Sequence, residues 1–200
     1  NIAYSGDANI NNFYIDKREV GDLFIHSDWK KGVESLNLKG DLFYKSNKTF
    51  NFEGDYFFKR KTNNIAFKLL FDKTDIQFTN SFFDPSVVSG IKGNLIGKLD
   101  VKGELENPSI EGKVKLKNGE AKLALLNVKY KLSGDILCDQ YGFYINNMPI
   151  TDEEGNTGSV IGSAYHQLFS NWNYDIVFNL EDDLRRNLNT PFLVKPLKQF

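Results

Sequence analysis

The sequence predicts an all-β protein built on a long, curved antiparallel sheet. Apolar and polar residues alternate with a period of two through most of the chain, as expected for strands that bury one face. The clearest stretch is Gly90–Leu116, in which one row is apolar or glycine and the other is polar or charged apart from Ile96. Glycine inside a strand is typical of a bulge or a bend, which indicates curvature. A four-residue motif, Gly-Asp followed by two apolar residues, begins at Gly21, Gly40, Gly54 and Gly134.

The first part of the chain predicts a meander of strands joined by polar turns. A short strand at Asn12–Ile15 is followed by a strand at Val20–Trp29. Alternating apolar residues then predict strands at Leu36–Tyr44, Phe50–Phe58 and Ile65–Phe71. Because consecutive strands are separated by short turns, we expect each one to pair with the next in an antiparallel sheet.

The alternation breaks at Asp72–Ser89, where several phenylalanines occur without a period of two. Within this stretch, Asp84-Pro85-Ser86 is a signal for a turn or for the start of a helix. We therefore expect one or two short helical turns here. Their phenylalanines should pack over an end or a seam of the sheet.

The strands resume after this break and continue to residue 180. A turn is predicted at Lys117–Gly119, because Asn-Gly between alternating apolar residues is a strong hairpin signal. Asp152–Asn156 is predicted to be a solvated turn. The strands predicted in this part lie at Ala121–Leu125, Lys129–Leu132, Leu137, Phe143–Ile145, Ser159–Tyr165 and Trp172–Leu180. From Glu181 the pattern is charged and irregular, so residues 1–180 form one predicted β segment and residues 181–200 a tail or linker.

Composition and charge argue against several classes of function. The chain has 200 residues and a net charge of −1, so no nucleic-acid partner is expected from bulk electrostatics. Its apolar runs are too short for a membrane-spanning helix. Met148 is the only methionine and is internal, so we expect the chain to be a segment of a longer protein.

No catalytic or metal-binding constellation can be found, so neither an enzyme nor a cofactor is expected. His26 and His166 are the only histidines, and they lack the spaced cysteine or carboxylate companions that zinc needs. The acidic run Asp152–Glu154 lacks the further oxygen ligands of a calcium loop. Cys138 is the only cysteine, and we expect it to be a small buried apolar residue.

Several short, mostly glycine-based motifs follow one another in a characteristic order. They are Ser89–Gly93, Gly97–Gly103, Asn107–Gly112 and Leu116–Gly119, then Asp152–Thr157, Gly162, His166, Asn171–Asp175 and Leu188–Thr190. In this order they resemble the C-terminal region of Bacteroidetes-type members of the TamB family. These are the inner-membrane-anchored subunits of the translocation and assembly module, within the AsmA-like group of bridge-like lipid-transfer proteins.

The resemblance implies an open trough, or β-taco, with an apolar inner face. Such a trough crosses the periplasm of a didermic bacterium and moves phospholipids between the inner and outer membranes, in support of outer-membrane biogenesis. The implied partners are phospholipid acyl chains and an outer-membrane barrel of the Omp85 class. Membrane association is expected through parts of the protein outside this segment.

The apolar rows supply a candidate floor for such a groove. Its glycines are expected to permit curvature and to leave width for an acyl chain. The predicted lipid-contacting residues are Leu36, Leu38, Leu42, Phe50, Phe52, Tyr56, Phe58, Ile65, Phe67, Leu69, Ile91, Leu95, Leu99, Val101, Ile110, Val114 and Leu116.

Alternation alone leaves two other architectures open. In a β-sandwich, which would suit an interaction or structural module of a cell-envelope protein, two apolar faces pack on each other. In a transmembrane β-barrel the apolar face meets lipid. The Phe-rich break and the uneven strand lengths disfavour the barrel.

Overall fold

The chain folds as a single antiparallel sheet that remains open. In the computed structural model, the described residues are 2–15, 18–30, 32, 34–124, 126–167, 170–180 and 193–194. Neighbours in sequence are neighbours in the sheet throughout, so the connections do not cross. The predicted all-β class and long antiparallel sheet are confirmed. The predicted tail at 181–200 lies outside the described residues except for Leu193–Val194.

Eleven strands make up the body of the sheet, and a two-residue twelfth strand pairs with the last of them. The strands are β1 Ile2–Ile15, β2 Arg18–Lys30, β3 Leu36–Tyr44, β4 Asn47–Tyr56, β5 Ile65–Asp75, β6 Val88–Glu104, β7 Asn107–Leu123, β8 Val128–Asp139, β9 Gly142–Thr151, β10 Thr157–Gln167, β11 Ser170–Leu180 and β12 Leu193–Val194. A 3₁₀ helix at Gln77–Phe82 separates β5 from β6, as the break at Asp72–Ser89 predicts.

The register places the apolar rows of successive strands on one face. Directly opposite residues of an antiparallel pair share a face, so each row can be followed across the sheet. One such row passes through Trp29, Leu36, Tyr56, Ile65 and Gly103 in β2 to β6. A single sheet therefore carries a continuous apolar face.

The sheet curls so that this apolar face is concave. No second sheet covers it, yet many of its side chains are less than a tenth exposed. The rings of Tyr130 in β8 and Phe178 in β11 lie 6.0 Å apart between centroids, although the two strands would be about 14 Å apart in a flat sheet. Among the described residues, curvature and the connection at Ile76–Phe83 cover this face and no second sheet does, so the structure is a trough and not a β-sandwich.

Two sequence predictions about strand ends are wrong. β1 has fourteen residues and not the short strand predicted at Asn12–Ile15. The predicted hairpin turn at Lys117–Gly119 is instead a bulge inside β7, with a positive φ of 50° at Asn118. Asn-Gly suits the left-handed conformation of a bulge as well as that of a turn. The chain reverses after Leu123, where Asn127 supplies the positive φ.

The turn at Asp152–Asn156 is present, but Asp152 is buried and not solvated as predicted, with 7% of its surface exposed. Its Oδ1 accepts hydrogen bonds from the backbone N–H groups of Glu154 (2.9 Å) and Asn156 (2.8 Å). Its Oδ2 accepts one from the Asn156 side-chain amide at 2.8 Å. Burial opposes ionisation, but these hydrogen bonds outweigh it and lower the pKa of Asp152.

Replacing Asp152 by Ala should destabilise the fold by about 1–3 kcal/mol at pH 7, because two backbone N–H groups of the turn lose their charged acceptor. Since the folded-state pKa is lowered, this stabilisation is present above the unfolded pKa and is lost as the pH falls through the folded pKa. Urea denaturation from pH 7 to pH 3 measures both effects. Glu154→Ala, at an exposed position in the same turn, is the control. A difference between wild type and Asp152→Ala that does not shrink in acid would contradict the assignment.

Candidate functional site

The candidate site is the concave apolar face, and all but two of the predicted floor residues lie on it by register. They belong to rows that run without interruption from β3 to β7. One row joins Leu38, Gly54, Phe67, Val101 and Ile110. The paired positions of this face carry no charged side chain between Tyr4 in β1 and Phe178 in β11 among the residues described.

Phe58 and Ile91 are the two exceptions. Phe58 lies beyond the end of β4 and is 45% exposed, so it does not form part of the floor. The alternation continued past the point where β4 stops pairing, which is why the sequence misplaced it. Ile91 follows two register shifts near the start of β6, but it is buried on the concave side in one cluster with Leu116.

The floor extends beyond the predicted lipid-contacting residues on both sides. In β2, Leu23 and Ile25 lie opposite Leu42 and Gly40 and extend the floor toward β1. On the other side, β8 to β11 add a larger set. Its members are Tyr130, Leu132, Ile136, Cys138, Phe143, Ile145, Met148, Ile150, Val160, Ile176 and Phe178. Their alternation is visible in the sequence, although a bulge shifts its phase within β9 between Ile145 and Met148.

The concave face has two halves that differ in how far side chains fill them. We call the face of β2–β6 the open half, because it carries the partly buried side chains of Leu38, Phe52, Phe67 and Leu69 beside buried ones such as Leu42 and Leu99. We call the face of β7–β11 the filled half, because side chains there pack closely on one another. Its buried residues include Leu116, Leu123, Tyr130, Met148, Ile150 and Val160. Leu38, Phe52, Phe67 and Leu69 are therefore accessible to a ligand.

Glycines set the depth of the open half, but they do not leave empty width as the sequence analysis expected. A Cβ on Gly40 would lie 2.5 Å from the ring of Phe52, which is opposite it on β4. A Cβ on Gly54 would lie 2.6 Å from the ring of Phe67 and 2.1 Å from the Ala66 carbonyl oxygen. Each glycine therefore lets an aromatic ring of the next strand lie across the backbone, and the floor is low because the rings lie flat.

Charged pairs lie on the convex face, which is opposite the floor. His26 Nδ1 lies 2.7 Å from Asp7 Oδ1 on β1, and His26 Nε2 lies 3.3 Å from Asp28 Oδ1. The hydrogen bond to Asp7 raises the pKa of His26. Between β7 and β8, Lys113 Nζ lies 2.6 Å from Asp135 Oδ2 and lowers the pKa of that carboxyl. The concave face is therefore apolar, and the convex face is polar and solvent-exposed.

The remaining features add no catalytic chemistry. Burial raises the pKa of Cys138 to about 12, and its Sγ–H donates to the Ile110 carbonyl at 3.5 Å, so the thiol is an inert part of the floor. A surface depression of about 520 Å³ beside Phe24 and Phe43 lies on the convex face. The described residues contain no group of three or more side chains that could hold a metal ion.

No helix within the described ranges is long and apolar enough to span a bilayer. Comparison of the chain with family models, with curated proteins and with solved structures finds no match in any of the three. The chemistry of this face therefore has to be argued from its own residues. What the arrangement can do is hold an elongated apolar ligand on partly exposed leucine and phenylalanine side chains.

Gly54→Ala should destabilise the fold by roughly 1–3 kcal/mol, because its Cβ has no room beside the Ala66 carbonyl and the Phe67 ring. Thermal or urea unfolding measures the loss. Gly6→Ala is the matched control in β1, since its Cβ would meet only the Ser27 hydroxyl at an ordinary 3.6 Å. If both substitutions have equal effects, the ring does not depend on the glycine.

His26 should titrate above its ordinary value of 6.5 in the folded protein, and Asp7→Asn should lower its pKa. The folded-state pKa of His26 is raised. The stabilisation from the His26–Asp7 ion pair, which joins β2 to β1, is therefore fully present below the unfolded pKa and is lost as the pH rises through the folded pKa. NMR titration of the imidazole C–H signals measures this, with His166→Gln used to assign the two histidines. A His26 pKa at or below 6.5 in the protein with Asp7 intact would contradict the His26–Asp7 ion pair.

Proposed function

We propose that this chain is a segment of a lipid-transfer conduit, in which the concave face carries phospholipid acyl chains between two membranes. The observation that supports this most directly is an uncharged apolar face that is continuous from strand to strand and only partly covered in its open half. A large apolar face that is partly exposed to solvent is unusual in a protein that binds no ligand or partner there.

The energetics favour a continuous floor over an isolated patch. Exposing an acyl chain to water costs about 0.8 kcal/mol per CH₂, which is on the order of 10 kcal/mol for a chain of membrane length. Contact with a few side chains offsets only part of this cost. The open half spans β2 to β6, a distance of about 19 Å at the usual spacing of neighbouring strands. A chain lying across these strands keeps most of its methylenes on protein.

The cellular setting is part of the same proposal. The order of the motifs between Ser89 and Thr190 supports membership of the TamB-like, AsmA-related lipid-transfer proteins. On that basis the chain works in the periplasm of a didermic bacterium, as part of an inner-membrane-anchored protein with an Omp85-type partner in the outer membrane. A floor without nucleophile, metal cluster or charged side chain among the described residues suits a carrier better than an enzyme.

Two matched pairs of substitutions test the proposal. Leu38→Glu and Phe67→Glu place a carboxylate on the floor, while Lys39→Glu and Ala66→Glu place one on the convex face of the same strands. Native mass spectrometry of protein incubated with phosphatidylethanolamine vesicles measures bound lipid. The floor variants should lose at least about tenfold in lipid occupancy, since a carboxylate against methylenes must be desolvated.

The convex-face variants should bind lipid like the wild type. Circular dichroism and urea unfolding of all four variants identify any that fail to fold. Equal losses from both faces would overturn the assignment of the floor. A wild-type protein that stays lipid-free as a compact monomer would instead favour an interaction module of the cell envelope.

A further inference from the structure

The connection between β5 and β6 lies across the concave side of the sheet. We call Ile76–Phe83, which includes the 3₁₀ helix, the inserted segment. The helix lies against β2, and the ring of Phe83 lies 5.6 Å from the ring of Tyr174 in β11. Because β2 and β11 are close to opposite edges of the sheet, a segment that touches both must lie within the curve of the sheet.

The inserted segment contributes its own apolar side chains to the filled half. Ile76 is 7% exposed and belongs to the buried cluster that contains Leu116, Met148 and Val160. Phe83 packs against the same cluster from the other end of the segment. The segment therefore covers floor residues in the way that an apolar ligand would.

The inserted segment is attached by hydrogen bonds as well as by the apolar packing of Ile76 and Phe83. The Asn80 side-chain amide donates from Nδ2 to the Ile91 carbonyl at 2.8 Å, and its Oδ1 accepts from the Ile91 N–H at 2.9 Å. One backbone bond joins Ile76 N–H to the Gly93 carbonyl at 3.1 Å. Close to this attachment, Gly90 in β6 has a φ of +63°, which glycine adopts readily, and no atom within 4 Å of a Cβ position.

The length of the connection also sets it apart. β6 and β7 are joined through only Leu105 and Glu106, whereas β5 ends at Asp75 and β6 begins at Val88. A short turn would suffice to pair β5 with β6. The additional residues are the ones that lie in the trough.

We propose that the inserted segment is a displaceable occupant of the groove, which competes with a lipid acyl chain for the filled half of the concave face. The filled half is thus a second acyl-binding region, closed by the chain itself until the segment moves aside. This inference rests on the lipid-binding function proposed above. It makes the apparent affinity for lipid depend on the fraction of molecules in which the segment has been released.

The experiment compares wild type with the double variant Asn80→Ala/Phe83→Ala. This variant removes the two hydrogen bonds between the Asn80 side chain and the Ile91 backbone, and the contact of the Phe83 ring with Tyr174 in β11. The probe is a palmitate analogue with a photoactivatable diazirine near the end of its chain, and crosslinked peptides are mapped by mass spectrometry. At low probe concentration, the wild type should crosslink in the open half. The double variant should also crosslink near Met148 and Val160, with an apparent affinity on the order of tenfold higher.

Gln77→Ala is the control within the inserted segment, because the Gln77 side chain bonds only Asp75 in its own turn. It should bind the probe like the wild type. Hydrogen exchange of the wild type gives a second measurement that needs no substitution. Addition of palmitate should speed exchange at the Ile91 amide, whose partner is Asn80, if the segment is displaced.

The outcomes separate this inference from the function on which it rests. Wild-type binding with no new crosslinks in the double variant, and no faster exchange at Ile91, would make the segment a fixed part of the core and overturn the inference alone. Absence of probe binding in wild type and folded variants alike would overturn the lipid-binding function and the inference together.

Discussion

A single sheet with one apolar face has to cover that face with itself, and the rest of this structure depends on that constraint. In a β-sandwich two packed sheets exclude water together, but among the described residues here one curved sheet does so, with the inserted segment added to its concave side. Curvature brings Tyr130 to Phe178 and lets β7–β11 bury their side chains on one another. On β2–β6 more of the floor side chains stay partly exposed.

The glycine–aromatic pairs show how backbone and side chains share the work of shaping the floor. In the rows Gly40–Phe52 and Gly54–Phe67, the absence of a Cβ lets a ring lie across the neighbouring strand. A larger residue would lift the ring and narrow the trough. On the convex face the requirement is different, because side chains there meet water. Charged pairs such as Lys113–Asp135 are suitable there, since they cost little and keep the outer surface polar.

The period-two pattern was sufficient to predict most of the strands and the face of nearly every residue in the predicted floor, because burial of one face is a local consequence of alternation. Strand ends were harder to predict. Phe58 continues the apolar alternation although β4 ends at Tyr56. Asn118-Gly119 occurs in a bulge, although the same dipeptide is also typical of a turn. The site also contains what no local pattern can encode. That Phe83 meets Tyr174 depends on the summed curvature of six strands, and that Asp152 is buried depends on how its turn folds back.

Strand order that matches sequence order has a consequence for how such a protein is made. Nearly all of its hydrogen bonds join segments that are adjacent in the chain, so each hairpin can form as soon as it leaves the ribosome, without waiting for distant partners. Stability then accumulates along the array as a sum of neighbour terms, as in solenoid proteins. A trough built in this way can be lengthened in evolution by duplicating hairpins, because a new pair of strands needs only its two neighbours to fold.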